Sequence, residues 1–221
     1  VTLATDPVVS PQTLAEERVN IVTHGIGAAL AVVALLTTTF LLLDSGVTRL
    51  VSTVIFCSAL VLTYVVSTGF HLAARHPSRP RWRLLDHASI YVLIAGTYTP
   101  IMLVVVGGTW GWSITLAAWL MAVAGVGMKV VLVGRYDRFE KLDSGLYLLM
   151  GWMCIIAILP IWQAMSGWGF TFLLVGGLSY SVGVIFFLWD KLPQNHAIWH
   201  GFVLAGSAFH FAAVWVDVVR A

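Results

Sequence analysis

Apolar residues run through this chain in seven long stretches, separated by short knots of glycine, proline and charge. Each stretch approaches or exceeds the ~20 apolar residues that cross a bilayer core as a helix. The stretches fall at 20–43, 48–72, 84–106, 110–133, 142–162, 168–189 and 196–218. Between them stand Asp44-Ser-Gly, Arg75-His-Pro-Ser-Arg-Pro-Arg, Gly107-Gly, Gly134-Arg-Tyr-Asp-Arg, Ser166-Gly-Trp-Gly and Asp190-Lys-Leu-Pro. Such residues are the expected punctuation between helices. The pattern predicts an all-α polytopic membrane protein, with a short tail over 1–19 and a seven-helix transmembrane domain over 20–221. No A-x-A pattern follows the first stretch, which therefore reads as a retained helix rather than a signal peptide.

Composition supports this reading. Only 10% of the residues are charged, against about a quarter in soluble domains. No basic patch is interleaved with aromatics, so nucleic acid is not an expected partner. Cys57 and Cys154 both lie inside apolar runs without metal-ligand spacing and read as packed free thiols.

The charges also predict an orientation. Nine basic residues fall in the tail and the even-numbered connections: Arg18, Arg75, Arg79, Arg81, Arg83, Arg135, Arg138, Lys141 and Lys191. Lys129 is expected to snorkel to the same side, and only Arg49 and Arg220 lie on the other. Positive charge stays in the cytoplasm, which puts the N-terminus inside and the C-terminus outside, the reverse of a G-protein-coupled receptor. Trp110, Trp112, Trp162, Trp168 and Trp215 then mark the outer interface, and Trp82 and Trp189 the inner one.

With that orientation the polar residues gather at the inner end of the bundle. His71 closes the second stretch, Asp86 opens the third, and His196 and His200 open the seventh; Glu17 and His24 lie around the start of the first. Such side chains are costly in hydrocarbon, and pairing or metal coordination explains several of them at one depth. His196-Ala-Ile-Trp-His200 places two imidazoles on one helical face about 6 Å apart, within reach of one ion. His71, His196 and His200 would supply three nitrogens and leave one tetrahedral position open, the arrangement of catalytic rather than structural zinc. Asp86 is the candidate general base, or holds a water or orients a ligand histidine; Ser67, one turn deeper than His71, can bind a water or a substrate carbonyl. His87 points about 100° away from Asp86 and His210 lies about 21 Å along the helix from His196, so neither reaches that ion. His210 reads as a buried hydrogen-bonded histidine, and His76 as a solvated loop residue. Gly25, Ala28 and Ala29, and the pair Gly176-Gly177, permit close helix packing.

Four segments carry a family resemblance: Glu17-Arg-Val-Asn-Ile-Val-Thr-His24-Gly, Ser67-Thr-Gly-Phe-His71, Leu85-Asp86-His87 with Ala95-Gly-Thr-Tyr-Thr-Pro100, and His196-Ala-Ile-Trp-His200. Through them the chain resembles the bacterial hemolysin III proteins, the prokaryotic branch of the progestin and adipoQ receptor family, whose wider superfamily includes alkaline ceramidases. The resemblance implies zinc near the cytoplasmic face, held at His71, His196 and His200, with Asp86 touching it through water. The expected function is a zinc-dependent hydrolase of a lipid amide or ester at the inner leaflet of a bacterial inner membrane, with a membrane lipid or fatty acyl group as its ligand. The alternatives are a non-catalytic homeostasis factor or sensor with structural zinc, and a cytolytic protein. The last needs a water channel, yet no stretch carries a continuous polar stripe. A zinc transporter would need a second site across the membrane, where His210 stands alone.

Overall fold

The computed structural model describes residues 13–131 and 136–221, and of 136–140 the backbone alone. Among the described residues it holds seven membrane-length helices and no strand. These are α1 (Leu14–Leu41), α2 (Val47–Leu72), α3 (Arg79–Val106), α4 (Gly108–Val131), α5 (Tyr136–Gly151 continued by Trp152–Ala157 and Ile158–Ala164), α6 (Gly167–Phe187) and α7 (Asn195–Val219). The tail at 1–12 and the basic side chains of Arg135 and Arg138 lie outside the described residues. Large apolar side chains such as Ile26, Leu30, Val33, Leu36 and Phe40 stand exposed along one face of α1. That stripe suits lipid rather than water, and the chain is a multi-pass membrane protein.

α1 begins earlier than the apolar pattern predicts. Thr13 and Glu16 form a capping box at its start, so residues 14–19 of the expected tail are the first helical turns. Two prolines shape the interior. Pro100 cannot donate to the carbonyl of Gly96 and its ring crowds that carbonyl, and α3 widens into a π segment over Ile101–Val106. Pro160 stands in the same relation to Ile156, and α5 tightens into a 3-10 segment over Trp152–Ala157 just before it. Broken backbone in a membrane must find its partners within the protein. The Tyr98 hydroxyl provides them: it donates to the Met150 and Gly151 carbonyls (3.0 and 2.8 Å) and accepts the Cys154 N–H at 2.9 Å.

Glycine lets the helices close on one another. A Cβ at Gly183 would lie 2.7 Å from Phe202 Cβ and from the Trp199 ring, and one at Gly176 would lie 2.4 Å from His210 Nδ1. α6 and α7 therefore pack with aromatic rings of α7 seated on bare backbone of α6. Gly25, in contrast, faces open space, and Gly177 makes only ordinary contact with Trp152. Lys129 does not snorkel. It is 1% exposed and ion-paired with Asp143 of α5, and Tyr91 donates to the same carboxylate at 3.4 Å. The pair meets because the end of α4 packs beside the start of α5, which a stretch-by-stretch reading cannot see. Trp82 is half-buried and its ring packs on Gly69 of α2, rather than only marking an interface.

Candidate metal centre

The first turns of α1 and α7 and the last turn of α2 lie together, because α2 runs antiparallel to both. A backbone bond ties two of these ends: Gln194, in the left-handed region at φ 58°, donates its N–H to Glu16 Oε1 at 3.1 Å. α7 starts one residue later, and His196 and His200 come within its first two turns. His71, His196 and His200 converge, with one nitrogen from each within 4.8 Å of the others. Ring centroids are 5.0 Å apart for His71 and His196, 4.9 Å for His71 and His200, and 4.6 Å for His196 and His200. His71 and His200 are 1% exposed.

The outer faces of two of these rings are committed. His71 Nδ1–H donates to Glu17 Oε2 at 2.6 Å, and Glu17 Oε1 accepts from Arg79 at 3.0 Å. His200 Nδ1 faces Thr23 Oγ1 at 3.2 Å and the Asn20 carbonyl. The inner nitrogens are different: Nε2 of His71 and Nε2 of His196 are buried without any hydrogen-bond partner. An unsatisfied buried polar atom costs about 1–3 kcal/mol, and two of them aimed at one point need a shared acceptor of their lone pairs. A hydrogen-bond donor or a cation can meet that need, and the three residues are close enough to hold a divalent metal.

Ser67 and Asp86 stand beside the triad rather than in it. Ser67 Oγ lies 2.7 Å from His24 Nδ1 and within polar reach of the Asp86 carboxylate, which in turn feels the field of His71. His24 stacks flat on His200, with centroids 3.4 Å apart and planes 6° from parallel. His87 Nδ1–H donates to the Arg83 carbonyl at 2.9 Å and lies 3.8 Å from the Asp86 carboxylate, so its ring lines the same cavity although it is not one of the three converging histidines. His210 is buried and bonded to the Gly206 carbonyl at 2.7 Å, and exposed His76 pairs with Ser78 in a loop.

The sequence places Glu17 among the polar residues at this end without assigning it a partner; in the structure it is the carboxylate behind a triad histidine. The available signal was spacing: Glu17, Asn20 and His24 are three and four residues apart, hence one face of one helix.

His196, His200, Ser67 and Asp86 open onto a cavity of about 190 Å³ between α3, α5, α6 and α7. Its lining is mostly apolar, including Leu93, Ile94, Ile158, Leu173, Leu174 and Val203, with Tyr98, Asp143 and Ser181 among its polar members, and it extends as far as His210.

Fold and site together define a polytopic membrane protein with a buried histidine centre at one end of an apolar cavity. Residues 12–211 match the family described as Haemolysin-III related. The chain is 43% identical over 205 residues to Hemolysin-3 of Bacillus cereus, covering 92% of each chain. It is 42% identical over 209 residues to the Hemolysin-3 homolog of Bacillus subtilis, covering 94% of this chain and 97% of that one. It is 29% identical over 172 residues to the human monocyte to macrophage differentiation factor, covering 75% and 70%. The chain belongs to the haemolysin-III-related family and is a protein of the bacterial membrane.

Proposed function

We propose that this protein is a zinc-dependent hydrolase that cleaves an amide or ester bond of a membrane lipid at the inner leaflet. The observation that carries this reading is the pair of buried, partnerless Nε2 atoms of His71 and His196, facing His200 at the mouth of an apolar cavity. Neutral imidazoles with an open fourth position fit zinc, which when bound supplies Lewis acidity and lowers the pKa of a water to roughly 7.

The chain's own residues then divide the work. Glu17 Oε2 holds His71 in the tautomer that leaves Nε2 free, and Thr23 does the same for His200. Asp86, with its carboxylate at the cavity wall, accepts the proton of the attacking water and returns it to the leaving amine or alcohol. Ser67, held by His24, orients the carbonyl of the bond to be cut. The apolar wall takes the acyl chain and keeps bulk water away. The inner-leaflet placement rests on the excess of basic residues at that end of the bundle. A lytic role, suggested by the relatives' names, calls for a hydrated path, and the mostly apolar lining of this cavity favours an acyl chain over a column of water.

Asp86→Asn tests the reading, since an amide can hold a water but cannot take its proton. The variant should keep its zinc and lose fatty-acid release, whereas Ser67→Ala should only slow release. Full turnover in Asp86→Asn would remove the base and return zinc to a bracing role within a homeostasis factor.

A further inference from the structure

The cavity has a second polar pole that the reaction above does not use. His210 lies ten residues beyond His200 on α7, about 15 Å further along the helix axis and toward the bilayer middle. It lines the same cavity, whose lining is mostly apolar. Its ring is held from three sides. Nδ1–H donates to the Gly206 carbonyl at 2.7 Å, the ring stacks on Tyr180 at 5.3 Å, and its Nδ1–Cε1 edge rests on bare Gly176, where a Cβ would come within 2.4 Å. The Tyr180 hydroxyl is itself tied to Ser207 Oγ at 2.8 Å.

This packing settles the chemistry of the remaining nitrogen. With the proton on Nδ1, Nε2 carries a lone pair and acts only as an acceptor. Among the described residues it takes no hydrogen bond, although His210 is only 7% exposed. A histidine placed in hydrocarbon, oriented by three contacts and left with one acceptor on a cavity, calls for a donor from the occupant.

We propose that His210 Nε2 receives a hydroxyl carried on the acyl chain that fills the cavity, about 15 Å from the chain's carbonyl end at the histidine triad. The preferred ligand class is therefore a mid-chain hydroxyacyl group, with the hydroxyl roughly a dozen carbons along an extended chain. This rests on the cavity holding an acyl chain, but not on any bond being cut.

The test is binding of 12-hydroxystearate and of stearate to the full chain in nanodiscs. The wild-type protein should bind the hydroxylated acid about three- to tenfold more tightly, the scale of one buried hydrogen bond. His210→Leu should bind both acids equally. Gly176→Ala leaves the imidazole present but pushes it from its seat, and should lose the preference as well; it also serves if His210→Leu does not fold. Equal affinity for the two acids in the wild type, or a preference that survives in His210→Leu, overturns the proposal. If neither acid binds, the acyl occupant itself is wrong. Hydrolysis is judged separately by turnover, so the two readings fail by different measurements.

Discussion

Replacing Glu17 by glutamine isolates the contribution of one carboxylate to the histidine centre. Glu17 is 2% exposed and serves two donors, His71 Nδ1–H at 2.6 Å and the Arg79 guanidinium at 3.0 Å. The amide keeps one carbonyl oxygen and turns an N–H₂ toward whichever donor loses its acceptor. A hydrogen bond to a charged group contributes about 1.5–3 kcal/mol. Independently, loss of the partner behind a metal-binding histidine lowers metal affinity about 10- to 100-fold, or about 1.4–2.8 kcal/mol. The two routes agree, so Glu17→Gln should weaken zinc binding by one to two powers of ten. Competition between the purified protein and a chelator of known affinity measures this. Asp44→Asn is the control. Asp44 is exposed in the connection after α1, at the opposite end of the bundle from the histidines, so its zinc affinity should match the parent. A Glu17→Gln affinity within about threefold of the parent would refute the idea that this carboxylate supports a ligand.

His71→Ala, His196→Ala and His200→Ala should each abolish stoichiometric zinc by elemental analysis, while His210→Ala retains it; full occupancy in two of the first three sinks the assignment. Gly183→Ala forces a methyl group against Phe202 and Trp199 and should cost about 1–3 kcal/mol in a melting or denaturant assay. Gly25→Ala, which meets nothing, should be neutral or stabilise α1 by about 0.5–1 kcal/mol. A reporter enzyme fused after Ala221 should be active only if it functions outside the cytoplasm, and activity of a cytoplasm-only reporter would invert the topology.

All seven helices were legible from apolar runs, because a bilayer imposes length and composition directly. Their ends were less so. Residues 14–19 contain Glu16, Glu17 and Arg18 and look like a loop to hydropathy, although Thr13 and Glu16 spell a capping box. The convergence of His71, His196 and His200 followed from helix periodicity and from counting which stretch ends share a side of the membrane. What periodicity could not supply was partnership across helices. Glu17 behind His71, Tyr98 filling the broken backbone of α5, and Lys129 paired with Asp143 each depend on which helices are neighbours. Seven runs of similar hydropathy do not reveal that. Pro100 and Pro160 were visible, but whether a proline kinks, widens or tightens a helix is decided by what packs beside it.

Fatty-acid release from defined lipids tests the central claim most directly. Zinc-loaded protein in nanodiscs would be offered a panel of N-acyl and O-acyl lipids across the neutral pH range. Release from at least one class is expected, rising with pH through roughly 7, the pKa that zinc would give a water at this site. Release should stop on chelation and return with zinc. Zinc that stays bound while no amide or ester is cleaved at any pH would contradict the claim.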